Sequence, residues 1–230
     1  MSPRTERGNP GPLILLQSNV RRSRTVQELA LAQAFEARID VVLLQEPYIF
    51  CTERRVTTRH PFYECFTPTD DWNSKCPRVL TYVRKGIGLS CTQRRPTAEG
   101  PDSAATADLL FLEIASSTYQ PVLVVNVYNA PPGSNGVGMA ARALTSLSAT
   151  MFERCVLLAG DFNLHHERWQ PSLQNGPTNN ADAFVAWMDS IPLTFISELD
   201  KPTHDRGNVL DLVLASSELL NRGVESMLAT

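Results

Sequence analysis

The chain has 230 residues, 43% of them hydrophobic, so it is long enough to bury one sizeable core and is expected to form one domain. Its formal net charge of −3 argues against a protein that attracts nucleic acid through overall positive charge, so any polyanion must be met locally. Residues 1–60 hold nine Arg against six acidic residues, which makes the amino-terminal part the better candidate for contacts with phosphate.

The cysteines and the apolar runs indicate the compartment. Five cysteines, an odd number with no C-x-x-C pair, are typical of idle thiols in a reducing compartment, so we expect an intracellular protein, nuclear or cytoplasmic. The sequence contains no apolar run near the roughly 18 residues of a membrane span, and residues 13–16 are too short for a signal-peptide core. Residues 1–12 are polar and rich in Pro, Gly and Arg, and we expect them to be disordered.

The first part of the chain predicts a strand, a helix and a second strand. An apolar run covers residues 13–19, a helical pattern runs from Val26 to about Arg38, and a continuous apolar run covers residues 41–44. Gln45 and Glu46 follow the second run, as expected of a buried strand that delivers polar groups to a sheet edge. This βαβ unit therefore aims Asn19 and Glu46 at the same edge.

The rest of the chain predicts many strands and few helices. Strands are expected at 79–84, 109–115, 122–128, 156–159, 193–196 and 209–214, helices at 139–150 and 182–190, and irregular or loop segments at 50–78, 92–107 and 170–180. This balance favours an α+β fold, a four-layer α/β sandwich of two stacked mixed β-sheets flanked by helices, over one doubly wound sheet.

Polar residues cluster where the apolar runs end or pass. They are Asn19, Gln45, Glu46, Asp161, Asn163 and Asp211. An acid inside an apolar run such as residues 209–214 costs several kcal/mol to bury unpaired, so a cation or hydrogen bonds must answer it. Each residue alone is typical of a strand-end cap, but together they indicate a metal site. Carboxylate and amide oxygens suit Mg²⁺ or Mn²⁺ and suit zinc poorly.

Five short motifs carry a family resemblance. They are Leu16-Gln17-Ser18-Asn19, Leu44-Gln45-Glu46-Pro47, Val125-Asn126-Val127-Tyr128, Gly160-Asp161-Phe162-Asn163 and Leu210-Asp211-Leu212. In this order they resemble the endonuclease/exonuclease/phosphatase superfamily. Gln45-Glu46-Pro47 and Pro202-Thr203-His204 make the chain most similar to the endonuclease domain of non-long-terminal-repeat retrotransposons and their fungal relatives.

The resemblance implies a role for each site residue. Glu46 would be the main ligand of Mg²⁺ (or Mn²⁺), with Asn19 on the metal or its waters. Asp161 would orient or deprotonate the attacking water, and Asn163 would hold the scissile phosphate. Tyr128 would donate a hydrogen bond to the phosphate or the leaving oxygen, and Asp211 would support the site. DNA is the implied substrate, and a reverse-transcriptase domain in a longer parent polypeptide is the implied partner.

The sequence departs from the family after Asp211. Family members finish with an Asp-His pair on a late loop, whereas no Asp or His follows Asp211 here. We therefore expect residues 13–230 to be a carboxy-terminally truncated domain that lacks the final strand, with weak or lost activity. Three histidines lie in loops from which they could compensate: His165, His166 and His204.

Other features leave alternatives open. Arg21, Arg22 and Arg24 follow Asn19 closely, and they are either phosphate contacts or a solvated turn. The missing Asp-His pair favours a non-catalytic relic or nucleic-acid-binding module. The superfamily fold also supports phosphomonoesterases and lipid or sugar phosphatases, between which fold alone does not choose.

Overall fold

Two β-sheets form the centre of the fold. The computed structural model describes residues 12–49, 58–68, 76–95, 107–117, 120–174, 176–178 and 181–221. The strands are β1 (Leu15–Asn19), β2 (Val41–Gln45), β3 (Tyr63–Phe66), β4 (Val79–Arg84), β5 (Ser90–Arg94), β6 (Leu109–Ala115), β7 (Val122–Tyr128), β8 (Val156–Asp161), β9 (Leu193–Phe195) and β10 (Asp211–Ser216). Sheet A has four strands in the order β1-β2-β4-β3, and sheet B has six in the order β5-β6-β7-β8-β10-β9.

Among the described residues, three helices lie on the outer faces of the two sheets, and a fourth, short helix packs its Leu219 into the core between the sheets. They are α1 (Arg24–Glu36), α2 (Met139–Thr145), α3 (Ala181–Ser190) and α4 (Ser217–Leu220), with a 3₁₀ turn at Ala149–Phe152. No helix in the described ranges is long and apolar enough to cross a bilayer.

Strand β2 of sheet A is apolar on both faces, which explains the layered packing of the two sheets and the helices. Val41 and Leu43 of β2 pack into the core between the sheets, whereas Val42 and Leu44 pack outward with Leu31 of α1. This alternation follows from the two-residue period of a strand, and a strand apolar on both faces is buried on both. On the far side of sheet B, α2 and α3 cover a third cluster. The four-layer sandwich of two mixed sheets is therefore confirmed.

The sequence of helix α1 explains where the helix begins and which of its faces is buried. The Ser23 hydroxyl accepts the Val26 backbone N–H, which caps the helix. Gln27, Leu31 and Ala34 are buried at helical spacing and turn one face to sheet A. The cap directly follows the turn after β1, so α1 begins next to the edge where β1 and β2 end.

A close approach of two parallel strands precedes the site. Gly160 of β8 lies opposite Val127 of β7, and a Cβ built on Gly160 would come 1.9 Å from the Val127 carbonyl oxygen. Only glycine therefore fits this position, because any side chain would push the two strands apart.

Several element boundaries correct the sequence-based expectations. Residues 90–94, expected partly as loop, form strand β5, and residues 63–66, expected as irregular, form β3. The helix expected over 139–150 ends at Thr145 and resumes as the 3₁₀ turn. Asp211, expected inside a strand, begins β10. Strand β5 escaped prediction because its side chains alternate between exposed and half-buried and are mostly polar.

The cysteines differ from the expectation of idle thiols. Cys65, Cys91 and Cys155 form no disulfide, and Cys155 is buried, whereas Cys76 is disulfide-bonded. The expectation is therefore wrong at Cys76. The expected disorder of residues 1–12 falls almost wholly outside the described residues.

Candidate active site

Side chains from both sheets meet at one edge of the sandwich. Asn19 ends β1, Glu46 directly follows β2, Asp161 ends β8, and Asp211 begins the antiparallel β10. The Asn19 side-chain nitrogen Nδ2 donates to Asp161 Oδ2 at 2.7 Å and lies 3.4 Å from Glu46 Oε2. One amide thus joins the carboxylates of the two sheets. The convergence predicted from the sequence is present.

Two of the carboxylates lie side by side in sheet B. Asp161 and Asp211 are register partners in β8 and β10. Burial raises the pKa of Asp161 to about 7, the charge of Asp211 adds to this rise, and hydrogen bonds from Asn19 and Asn163 oppose it. Burial also raises the pKa of Asp211. No basic side chain of the described ranges lies in a salt bridge with either, so the pair carries an electrostatic cost that a bound cation would offset.

Hydrogen bonds fix the two Asp side chains. The Asn163 backbone N–H donates to Asp161 Oδ1 at 3.2 Å, so both oxygens of Asp161 accept a hydrogen bond. The Thr203 hydroxyl oxygen accepts the Asp211 backbone N–H at 3.0 Å. Gln17 Nε2 donates to Asp211 Oδ1. The carboxylates are therefore held in defined orientations, which a catalytic or ligand role requires.

Glu46 is presented differently. Its backbone has φ 47°, a left-handed conformation that is rare outside glycine. The turn is held by hydrogen bonds from the Glu46 N–H to the Arg78 carbonyl at 2.9 Å and from the Arg22 N–H to the Glu46 carbonyl at 2.7 Å. The side chain is 22% exposed and lies 3.7 Å from Arg22 Nε. Such local strain is common at functional sites.

Tyr128 and Asn163 complete the edge. Tyr128 ends β7 opposite Asp161 and is buried. Burial, and then the neighbouring Glu46 carboxylate to which its hydroxyl is hydrogen-bonded, raise the pKa of Tyr128, so the phenol stays a proton donor. Asn163 also has φ 47°, and its side-chain nitrogen donates to the Asn129 carbonyl at 3.0 Å.

A buried chain of amides lies behind the carboxylates. Gln17 Nε2 also donates to Gln45 Oε1 at 2.7 Å, and Gln45 Nε2 donates to Asn126 Oδ1 at 2.7 Å. Asn126 in turn donates to the Leu80 carbonyl at 2.8 Å. This chain connects Asp211 to both sheets. Sequence reasoning did not select Gln17, although it lies two residues before Asn19 and therefore on the same face of β1.

The three arginines after Asn19 separate. Arg21 and Arg22, both with positive φ, lie in the turn beside the site. Arg21 pairs with Asp205 at 2.9 Å, and this hydrogen bond raises the pKa of its guanidinium. Arg24 begins α1 and pairs with Glu28 one turn along the helix. The structure thus brings Arg21 and Arg22 to the carboxylates and gives Arg24 a partner on its own helix.

The three loop histidines also separate. His204 lies in the turn of residues 203–208 and is close enough to Asp211 and His165 to act on both electrostatically. Burial, and then His204, lower the pKa of His165. His166 Nε2 lies 3.3 Å from Asp182 of α3, and its ring packs against Trp169. His204 is thus near Asp211, His165 is near His204, and His166 is engaged with α3.

The donor set fits a divalent cation that keeps other ligands. No three His, Cys, Asp or Glu side chains within the described ranges are arranged to hold an ion by themselves. Mg²⁺ is usually held by one or two carboxylates together with waters and substrate phosphate, so it does not need a complete protein cage. The all-oxygen set of Glu46, Asp161 and Asp211, with its unbalanced negative charge, fits that mode.

The comparisons with known proteins agree with this geometry. Residues 122–229 match the family model described as endonuclease-reverse transcriptase. Among solved structures, the endonuclease domain of TRAS1, a telomere-specific non-LTR retrotransposon, is 17% identical with a TM-score of 0.69, covering 91% of this chain and 88% of that one. No curated protein sequence matches this one.

Two DNA-processing enzymes share the fold. The AP endonuclease LMAP from Leishmania major is 16% identical with a TM-score of 0.67, covering 90% of this chain and 80% of that one. The 3′ phosphatase NExo from Neisseria, bound to a product DNA hairpin, is 15% identical with a TM-score of 0.55, covering 88% of this chain and 86% of that one.

The fold and the family match define a nuclease- or phosphodiesterase-type hydrolase superfamily. Residues 122–229, just under half of the chain, match that family model, and the fold is the one found in the endonuclease/exonuclease/phosphatase superfamily, as in the TRAS1 endonuclease domain and LMAP. Enzymes of this superfamily are generally dependent on a divalent metal.

Proposed function

We propose that this chain is a divalent-metal-dependent phosphodiesterase of the DNA-nicking endonuclease type. One observation supports this above the others: carboxylates from two sheets meet at one edge, joined by the Asn19 amide and unmatched at Asp161 and Asp211 by any described basic partner. A solvated structural cluster would not need three acids held in fixed orientations. A DNA substrate is part of the proposal, as is a reverse-transcriptase domain in a longer parent polypeptide.

Glu46 is the main residue that would hold Mg²⁺ or Mn²⁺. Its carboxylate is 22% exposed, and the cation would polarise a phosphoryl oxygen and offset charge on the leaving group. Asn19 positions this carboxylate, because its Nδ2 faces the acids while its Oδ1 accepts the Arg21 backbone N–H at 2.9 Å. Asn19 therefore contributes more through orientation than the sequence reasoning assumed.

Asp161 prepares the attacking water. Both of its oxygens are oriented by hydrogen bonds, so one lone pair can be directed at a water on the open side of the edge. The water oxygen bonds to phosphorus, the bond from phosphorus to the leaving oxygen breaks, and the water proton passes to Asp161. Asp211 supports Asp161 from the neighbouring strand.

The remaining residues bind the phosphodiester. Tyr128 donates its phenolic proton to a phosphate or leaving oxygen, and Asn163 holds the phosphate through its side-chain amide, whose nitrogen also donates to the Asn129 carbonyl. Arg21 and Arg22 contact flanking phosphates, where the few charges available predict weak, salt-sensitive binding. His204, which lies near Asp211, is the histidine that contacts a phosphate there, with His165 near it.

A plasmid-nicking assay tests the proposal. Supercoiled plasmid with Mg²⁺ or Mn²⁺ should be converted to open circles, and Glu46→Ala and Asp161→Asn should each lower the rate at least about 100-fold. Asp189→Ala is the matched control, because Asp189 is an exposed helix carboxylate that pairs with Arg168 at 3.1 Å. The wild-type rate also measures whether activity is weak, as expected from the sequence.

The outcomes separate the alternatives. Nicking that survives both site substitutions contradicts the proposed mechanism. Release of phosphate from a 3′-phosphorylated oligonucleotide without nicking indicates a phosphomonoesterase. Salt-sensitive DNA binding without either reaction indicates a binding module.

A further inference from the structure

A buried ion pair lies directly behind the candidate site and has no part in the proposed chemistry. Arg78 precedes β4 and Asp108 precedes β6, so the pair joins sheet A to sheet B. Two nitrogens of the Arg78 guanidinium, Nε and Nη2, donate to the two carboxylate oxygens of Asp108. Arg78 is 8% and Asp108 0% exposed. A buried pair of this kind stabilises a fold only weakly compared with apolar packing, so stability alone does not account for its presence.

The backbone of the pair holds two site residues. The Arg78 carbonyl accepts the Glu46 backbone N–H at 2.9 Å, and the Asp108 carbonyl accepts the Tyr128 backbone N–H at 2.9 Å. The Arg78 N–H donates to the Ala107 carbonyl at 2.8 Å, which ties the two segments together. A displacement of either member is therefore passed to Glu46 or Tyr128 through one hydrogen bond.

The Arg78 side chain also contacts the ring of Tyr128. Its guanidinium carbon lies 4.9 Å from the ring centroid, within the range of a cation–π contact. Its third nitrogen, Nη1, donates to the Asn135 carbonyl at 3.0 Å in the loop before α2. Because Asp108 accepts from Nε and Nη2 and Asn135 accepts from Nη1, the orientation of the guanidinium plane is fixed. The Tyr128 phenol therefore lies between this plane and the Glu46 carboxylate.

We propose that the Arg78–Asp108 pair is a positioning unit that holds Glu46 and Tyr128, one from each sheet, at the distance their joint action on a phosphodiester requires. This inference rests on the proposed function. Neither member touches the substrate. The pair acts through the backbone of Glu46 and through the backbone and ring of Tyr128.

Arg78→Lys is the informative variant. Lysine keeps a positive charge beside Asp108, so the fold is retained, but a single ammonium cannot make the two parallel bonds, reach Asn135 and cover the Tyr128 ring together. Val83→Ala is the control, because Val83 is buried at the other end of β4 and its truncation lowers the melting temperature without touching the site.

Kinetics form the first readout. Arg78→Lys should lower kcat about 10- to 100-fold with KM within about threefold, since small misplacements of reacting groups have effects of this size. Val83→Ala should leave kcat unchanged, although it lowers the melting temperature by about as much as Arg78→Lys does. In a Tyr128→Phe background, the effect of Arg78→Lys should shrink severalfold, because phenylalanine lacks the hydroxyl whose position the Arg78 contact with the ring controls.

Amide hydrogen exchange is a second readout that needs no activity. Arg78→Lys should speed exchange at Glu46 and Tyr128 at least about tenfold, with the centres of β2 and β7 unchanged. If Arg78→Lys matches Val83→Ala in kcat and leaves these two amides protected, the inference is wrong. If the wild type shows no Glu46-dependent nicking, the proposed function fails, and the exchange result alone decides whether the pair positions these residues.

Discussion

The two sheets hold their site carboxylates in different surroundings, two of them in paired strands and the third in the turn after a strand. Asp161 and Asp211 of sheet B lie opposite each other in a strand ladder, and Asp161 is only 7% exposed. Glu46 of sheet A lies beyond its strand, in a left-handed turn, with a more open side chain. Sheet B therefore fixes two like charges at an electrostatic cost, whereas sheet A holds one charge at a cost in backbone strain. Both costs are accepted at the same edge, which is typical of a functional site.

The largest expected effect on stability comes from separating strands β7 and β8 of sheet B. Gly160→Ala places a Cβ 1.9 Å from the Val127 carbonyl oxygen, so β7 and β8 must separate next to Asp161. We expect a loss of at least about 4 kcal/mol in the free energy of unfolding, measured by urea denaturation.

Gly86→Ala is the matched control for that change. Gly86 also has positive φ, 77°, but a Cβ there meets nothing within 4 Å. Its loss should be limited to the backbone strain of about 1–2 kcal/mol. Equal losses for the two variants would contradict the steric explanation at Gly160.

Two Asp→Asn changes should have effects of opposite sign. Asp108→Asn leaves the buried Arg78 charge unmatched and should lower the free energy of unfolding by about 3–5 kcal/mol. Asp211→Asn removes one of two facing acids. An asparagine there can still accept a hydrogen bond from Gln17.

Without divalent cation, Asp211→Asn should therefore be neutral or stabilising by up to about 1 kcal/mol, while nicking falls. Urea unfolding in EDTA measures the first effect and the plasmid assay the second. A large loss of stability in Asp211→Asn would show that Asp161 and Asp211 are not in conflict.

Much of this comparison could be read from the sequence. Apolar runs that end in polar residues placed Asn19, Glu46 and Asp161 at strand ends, and the shared edge of the first βαβ unit follows from parallel strands. The two sheets followed from the count of strands against helices. These features depend on local pattern, and the structure contains them.

The features that were missed depend on contacts between distant segments. Arg78 and Asp108 lie 30 residues apart, each just before a strand, and no periodic pattern assigns one to the other. Gln17 was within reach, because alternation along β1 puts it on the Asn19 face, but only the structure shows that Asp211, 194 residues later, is its acceptor. The left-handed turn at Glu46 was unexpected, since glutamate gives no sign of positive φ.

The smallest expected effect isolates the strain on the sheet A side. Glu46→Ala and Glu46→Gly both remove the carboxylate and its contacts with Asn19 and Arg22, so both should abolish nicking. They differ at φ 47°, which alanine tolerates poorly and glycine adopts freely. The gain for glycine is reduced because its unfolded chain has more conformational freedom. We therefore expect Glu46→Gly to be more stable than Glu46→Ala by about 1 kcal/mol in urea unfolding. If the alanine variant is equally stable or more so, the turn relaxes without the carboxylate, and Glu46 is held by its side-chain contacts rather than by the backbone hydrogen bonds to Arg78 and Arg22.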